Sequence, residues 1–247
     1  MIALRHLTVS YGSRPILSGL DATLAERGVT AVMGPNGCGK TTLLRCIGGL
    51  RQPSDGTVEL DGRPVQDYPA RDLARRVAFV RQQSQTDLEF SAFEIVLMGR
   101  NPWQRRLENE SQADRDIVEQ CMRQTGTWHL RQARPAQMSG GELQRVMIAR
   151  ALAQQTPVLL LDEPVSNLDI AHQRDIMRLL RDATDKTVLI VIHDLNLALQ
   201  FCSHLLLLHQ GGILYHGPIA DGLTPERISL VYGVDAHLTE GRILFDY

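Results

Sequence analysis

Along the first eighty residues, short runs rich in β-branched and aliphatic side chains recur between turn clusters, at 2–9, 29–33, 58–60 and 77–80. Runs this short, bounded by Gly, Pro, Asp and Ser, read as strands. One helical stretch starts near Lys40, which makes this region a sheet with a covering helix. From about residue 84 to 155 the β signal disappears and Gln, Arg, Glu, Ala and Met take over, with helix-compatible stretches at 113–124 and 142–154. That change predicts a helical insertion. After Pro157 the apolar runs return, at 158–161, 187–192 and 205–208, with helical stretches between them. Such alternation predicts a parallel sheet built from βαβ crossovers. Gly211-Gly212 reads as a hairpin turn closing the sheet region.

The 247 residues are 43% hydrophobic and 22% charged, the composition of one large globular domain or a domain with an insertion. Disordered, collagenous and disulfide-miniprotein classes are excluded. No apolar run approaches the roughly 20 residues that a membrane-spanning helix needs. The opening segment has no basic stretch or apolar leader core, so a cytoplasmic protein is expected. The four cysteines, Cys38, Cys46, Cys121 and Cys202, form no CxxC pair and read as free thiols. A net charge of -2 gives no bulk attraction to nucleic acid. Of the 26 basic residues only Lys40 and Lys186 are lysines, so each lysine asks for a reason beyond charge.

Lys40 has one. Between the strand at 29–33 and the helix lie Gly34, Pro35, Asn36, Gly37, Cys38, Gly39, Lys40, Thr41 and Thr42, matching the phosphate-loop pattern G-x-x-x-x-G-K-[ST]. Glycines let successive backbone N–H groups converge on a phosphate, and the helix adds its positive end. Lys40 supplies a compact charge between β- and γ-phosphates, where a planar guanidinium is too wide. Thr41 is placed to offer its hydroxyl to Mg²⁺. A second element, Val158-Leu-Leu-Leu-Asp162-Glu163, is a doubly buried strand ending in two acids at the edge where open α/β sheets bind ligands. Asp162 is the candidate Mg²⁺ ligand and Glu163 the candidate base for an attacking water.

Two more motifs narrow this generic phosphate-loop NTPase. Met138-Ser139-Gly140-Gly141-Glu142 precedes a helix, and His193 follows the strand at 187–192. With Tyr11, the phosphate loop, Gln82, the acid pair and Ser166-Asn-Leu-Asp169 in this order, the chain resembles the ATP-binding cassette ATPases over essentially its whole length. The resemblance implies an α/β fold: a phosphate-loop core with a mostly parallel sheet, an antiparallel β subdomain and a helical insertion carrying the signature motif. It implies one cassette over 1–247, with core at 1–83 and 156–247 and a helical subdomain at 84–155. It further implies that Tyr11 stacks on adenine, that Gln82 senses Mg²⁺ and the γ-phosphate, and that His193 contacts that phosphate and orients Glu163. Ser139, Gly140 and Gly141 would bind the γ-phosphate of a partner subunit's ATP, with Asp169 at the dimer interface. Met138, Glu142, Arg81 and Val165 depart from the commonest residues of the family and are read as tuning.

A chain with one phosphate loop and one signature implies a homodimer, and a free cassette resembles the importer subunits that dock on separate membrane permeases, served in turn by a solute-binding protein. Residues Ile95-Val-Leu-Met-Gly-Arg100-Asn-Pro-Trp103, His193-Asp-Leu-Asn-Leu-Ala198 and Val231-Tyr-Gly-Val234 resemble importers of ferric siderophores, haem and cobalamin. The expected function is ATP-driven import of a metal chelate, from the cytoplasmic face of the inner membrane, with no nucleic acid bound. The alternatives are another importer class or a cassette ATPase acting on nucleic acid. Phe90, Phe93, Leu97, Met98 and Trp103 are expected to pack partly in the insertion and partly as a groove for a permease helix, with Asp87 and Glu89 setting its polarity.

Overall fold

The computed structural model describes residues 1–81, 89–104, 110–239 and 241–245. Its central sheet holds β3 (Gly28–Met33), β6 (Val77–Val80), β7 (Val158–Asp162), β8 (Thr187–Val191), β9 (His204–His209) and β10 (Gly212–Pro218), in the order β10-β9-β3-β8-β7-β6. All neighbours are parallel except β10 against β9. The apolar runs of β7, β8 and β9 are continuous because both faces are covered. Leu159, Leu161, Val188, Ile190, Leu205 and Leu207 point into one core, and Leu160, Leu189, Val191 and Leu206 into another.

The second core lies under an antiparallel sheet of β1 (Ile2–Tyr11), β2 (Arg14–Leu24), β4 (Asp55–Leu60) and β5 (Arg63–Pro64), ordered β2-β1-β4-β5. Leu43, Leu44 and Ile47 of α1 (Lys40–Ile47) complete that layer. On the other face lie α6 (Ile170–Asp182), α7 (Leu195–Phe201), α8 (Ile219–Gly222) and α9 (Pro225–Tyr232). The hairpin β11 (Ala236–Thr239) and β12 (Arg242–Phe245) is tied to α7, because Asn196 donates to the Ile243 carbonyl at 3.0 Å and accepts from its N–H at 2.8 Å.

Between β6 and β7 run α2's successors in the chain: α2 (Ala70–Ala74) precedes β6, and α3 (Ala92–Leu97), α4 (Gln112–Gln124) and α5 (Gly140–Ala153) follow it. These last three share a core of their own, built on Ile95, Val96, Val118, Met122, Val146 and Ala149. Ile148 and Ala151 on the other side of α5 enter the main core, so this helix belongs to both. The first two residues of the expected hairpin shift by one. Gln210 and Gly211 adopt φ 48° and 78°, the paired positive values of a primed turn, and Gly212 already pairs with His209. Among the described residues no helix is long and apolar enough to cross a membrane.

Candidate active site

Three parallel strands end level with one another. Val191 of β8 pairs with Val32 of β3 on one side and with Asp162 of β7 on the other. The phosphate loop leaves β3, the acid pair leaves β7 and His193 follows β8, so register alone gathers them at the carboxyl edge of the sheet.

The loop over Gly34–Thr42 is shaped by three glycines at positive φ, of which Gly34 and Gly39 are also pressed by neighbours. A Cβ on Gly34 would lie 2.2 Å from the Leu208 carbonyl oxygen, and one on Gly39 would lie 2.4 Å from Leu17. Pro35, Asn36 and Gly37 form the more open arc, while Cys38 and Thr42 are buried. Lys40 is 6% exposed and donates from Nζ to the carbonyls of Gly34 at 2.8 Å and Pro35 at 2.9 Å. Burial pushes the Cys38 thiol above its ordinary value, against the pull of the Lys40 charge. Tyr232 packs beneath the loop with its hydroxyl pushed up to about 12, chiefly by burial and partly offset by the Gly34 backbone. Its place was not evident from the sequence, where it belonged only to a resemblance.

Thr41 donates its hydroxyl to Asp162 Oδ1 at 3.0 Å. Asp162 is 3% exposed, and burial followed by the nearby Glu163 charge raises its pKa against the Thr41 bond. A buried carboxylate beside a hydroxyl supplies hard oxygen donors, and with nucleotide phosphates and water it suits Mg²⁺. Glu163 holds the left-handed value φ 51°, which turns its side chain out of the strand direction. Its Oε1 lies 2.7 Å from Nε2 of His193, and its carbonyl accepts from the Ser166 hydroxyl at 3.0 Å. With the carboxylate ionised, His193 is the donor in that pair.

The signature residues lie elsewhere on the chain surface. Ser139 caps α5 through a reciprocal box: its N–H and hydroxyl both donate to Glu142 Oε2 at 2.8 Å, and Glu142 N–H donates back at 3.3 Å. The bonds from Ser139 hold the Glu142 carboxyl below its ordinary range. A Cβ on Gly141 would meet the Asn167 carbonyl oxygen at 3.1 Å, whereas Gly140 faces open space. Asp169 caps α6, accepting from the backbone of His172 at 2.9 Å and facing its ring Nδ1 at 2.8 Å. No hydrogen bond or ion pair joins Ser139, Gly140, Gly141 or Asp169 to the phosphate loop among the described residues. Gln82 lies outside the described residues, as do Asp87 and the rest of 82–88.

Tyr11 ends β1 and is 44% exposed, with Arg51 Cζ 3.9 Å from the ring centroid. Of the five apolar residues expected near a groove, Phe93 and Leu97 pack against the helical core, and Phe90 stays 44% exposed. Trp103 donates its indole N–H to the Gln154 carbonyl at 2.8 Å. A groove of about 620 Å³ is lined by Leu50, Leu73, Phe79, Arg81, Met147 and Arg150, between the segment after α1, α2, β6 and α5.

Residues 17–166 match the family model described as ABC transporter. The ferric enterobactin transport ATP-binding protein FepC of Escherichia coli is 38% identical over 93% of this chain and 86% of its own length. The hemin import ATP-binding protein HmuV of Bordetella pertussis is 39% identical over 94% and 92%. Among solved structures, a metal-chelate type ABC transporter in an inward-facing conformation superposes with a TM-score of 0.82 at 26% identity, covering 99% of this chain and 95% of that one. The dimeric cassette MJ0796 bound to ADP and phosphate gives 0.79 at 30% identity, covering 89% and 99%. The chain belongs to the ABC transporter family and is one of its ATP-hydrolysing subunits.

Proposed function

We propose that this ATPase works as a homodimer docked on separate membrane permeases, at the cytoplasmic face of the membrane, and drives import of a metal chelate delivered by a solute-binding protein. The likeness to subunits named for ferric enterobactin, achromobactin and hemin transport supports that cargo class. The observation that carries the chemistry is the contact of Glu163 with His193 at 2.7 Å, one residue from the Asp162–Thr41 pair.

In this reading the nucleotide's phosphates rest on the N–H groups from Gly34 to Thr42, and Lys40 neutralises the β- and γ-phosphates. Thr41 and Asp162, joined by Gln82, would hold Mg²⁺, which when bound offsets phosphate charge. Glu163 accepts the proton of the attacking water as its oxygen forms a bond to the γ-phosphorus and the bond to the β-phosphate oxygen breaks. His193 fixes one carboxylate oxygen of Glu163 and reaches toward the γ-phosphate. Ser139, Gly140 and Gly141 present the N-terminus of α5 to the partner subunit's nucleotide, with Asp169 beside them. Separation of signature and phosphate loop on one chain supports this two-chain site, as does the dimeric state of the cassette MJ0796. The groove by Leu73, Phe79 and Met147 is the proposed seat of a permease helix.

The test is Glu163→Gln. It should keep ATP affinity within about threefold while lowering turnover by 10² or more, and it should accumulate an ATP-bound dimer in size-exclusion chromatography with light scattering. Turnover near the wild-type rate in the assembled transporter would remove Glu163 from the base role.

A further inference from the structure

Arg51 has no evident task in phosphate chemistry, yet its side chain is tightly placed. It follows α1 by four residues, and its backbone N–H still donates to the Arg45 carbonyl at 3.2 Å, at the end of a turn where Gly49 takes φ 68°. The far end of the same loop is fastened to β1, since Ser54 N–H donates to the Thr8 carbonyl at 2.8 Å and Ser10 N–H to the Ser54 hydroxyl at 3.0 Å. Between these anchors the guanidinium donates from Nη2 to the Ser10 carbonyl at 2.8 Å and lies 3.9 Å over the Tyr11 ring. Its Nε is buried without a hydrogen-bond partner, and no carboxylate pairs with it among the described residues. The guanidinium's hydrogen bond and its ring contact both fall on Tyr11 or the peptide preceding it, among the described residues.

We propose that Arg51 is the positioning residue of the adenine platform: it covers one face of Tyr11 so that the ring is held with its opposite face open to the base. The inference rests on the reading that Tyr11 stacks on adenine. Tyr11 stays 44% exposed even with the guanidinium over one face. A ring seated in advance loses less freedom on binding than one that must be ordered by the nucleotide. The loop also ties the helix that starts under the phosphates to the strand that ends under the base, so one segment sets both distances.

The experiment measures dissociation constants of the full chain for MgATP and for magnesium tripolyphosphate, which has the phosphates and no base. Arg51→Ala should weaken MgATP about fivefold and leave tripolyphosphate unchanged. Arg51→Lys, which keeps a cation near the ring, should fall between the two and serves if the alanine variant folds poorly. Tyr11→Ala should also weaken MgATP alone, and adding Arg51→Ala to it should cost nothing further. Equal losses for both ligands, additive losses in the double variant, or tighter MgATP binding by Arg51→Ala would each overturn the proposal; the last would mean that the guanidinium occupies the base's own face. If Tyr11→Ala weakens MgATP while Arg51→Ala does not, only the role of Arg51 falls. If Tyr11→Ala treats both ligands alike, the adenine reading falls and takes this inference with it.

Discussion

Asp114→Ala should destabilise the helical unit severely while sparing nucleotide binding by the isolated chain. Arg100 and Asp114 side chains are 8% and 13% exposed, with Nε and Oδ1 2.8 Å apart. Removing one partner of a buried pair costs about 3–5 kcal/mol, because the other charge stays buried. Arg100 keeps two neutral acceptors, the Ala153 carbonyl at 2.7 Å and Gln155 Oε1 at 3.0 Å, which argues for the lower end. Asp114 also closes the capping box of α4, accepting from the Ser111 N–H at 3.1 Å, and losing that adds about 1 kcal/mol. A total near 4 kcal/mol corresponds to a fall of about 8–16 °C in melting temperature for a chain of this size. Thermal unfolding by circular dichroism would measure it, and hydrogen exchange on α4 would show whether the helical unit opens first. Burial pushes the Asp114 carboxyl up, but the bonds from Arg100 and Ser111 outweigh it and hold it below its ordinary range. Its stabilisation is therefore complete above the unfolded value of about 4 and is lost as pH falls through the folded value, so wild type and variant should converge in acid. The combined change Arg100→Met with Asp114→Leu should recover most of the loss. A fall under about 2 °C, no recovery in the double variant, or a gap unchanged below pH 3 would refute the reasoning.

Lys40→Arg should weaken MgATP about tenfold, since a wider group must enter a slot where Nζ is within 2.9 Å of two carbonyls, an overpacking cost of about 1–3 kcal/mol. Lys186→Arg should leave affinity unchanged, because its ammonium bonds the Thr156 carbonyl at 3.0 Å and pairs with Asp185 at 3.7 Å, contacts open to a guanidinium; equal binding by wild type and Lys40→Arg in calorimetry would sink the slot argument. Burial raises all four thiols, Cys46 and Cys121 to about 11 and Cys202 to about 12, so a maleimide at neutral pH should label the folded chain far more slowly than the denatured one. Rapid modification of Cys38 in the folded chain would show that the phosphate loop is not packed as described.

Strands β3, β6, β7, β8 and β9 were legible because two-sided burial writes each as an unbroken apolar run, bounded by turns. Strand β2 was not, because Ser18, Gly19 and Asp21 interrupt its pattern and its pairing with β1 shifts register three times. The carboxyl-edge cluster followed from order along the chain, since parallel strands deliver their following residues to one side. Arg51 could not be found that way: its partner is forty positions distant and nothing in composition marks it. The groove by Leu73, Phe79 and Met147 could not be read from the sequence for a similar reason. Apolar residues at 93 and 97 look alike in sequence whether they face a partner or the protein's own interior, and here Val118 and Met122 supply the interior. The segments resembling metal-chelate importers also carry much internal structure. Gly99 lets the chain pass the Arg150 carbonyl, where a Cβ would sit 2.3 Å away, Arg100 forms the buried pair and Asn196 fastens the final hairpin.

Helix α5 begins at the signature and carries Met147 and Arg150 of the groove toward its other end. Its fourteen residues make a rod of about 21 Å. A tilt of only 5° about the groove end would sweep Ser139 through nearly 2 Å by that length, and a hydrogen bond is gone well before such a distance is added to it. Under the proposed two-chain site, a displacement at the groove would reach the signature end as the making or breaking of a contact with the partner's nucleotide, and the same lever run backwards would turn the loss of a phosphate into a stroke.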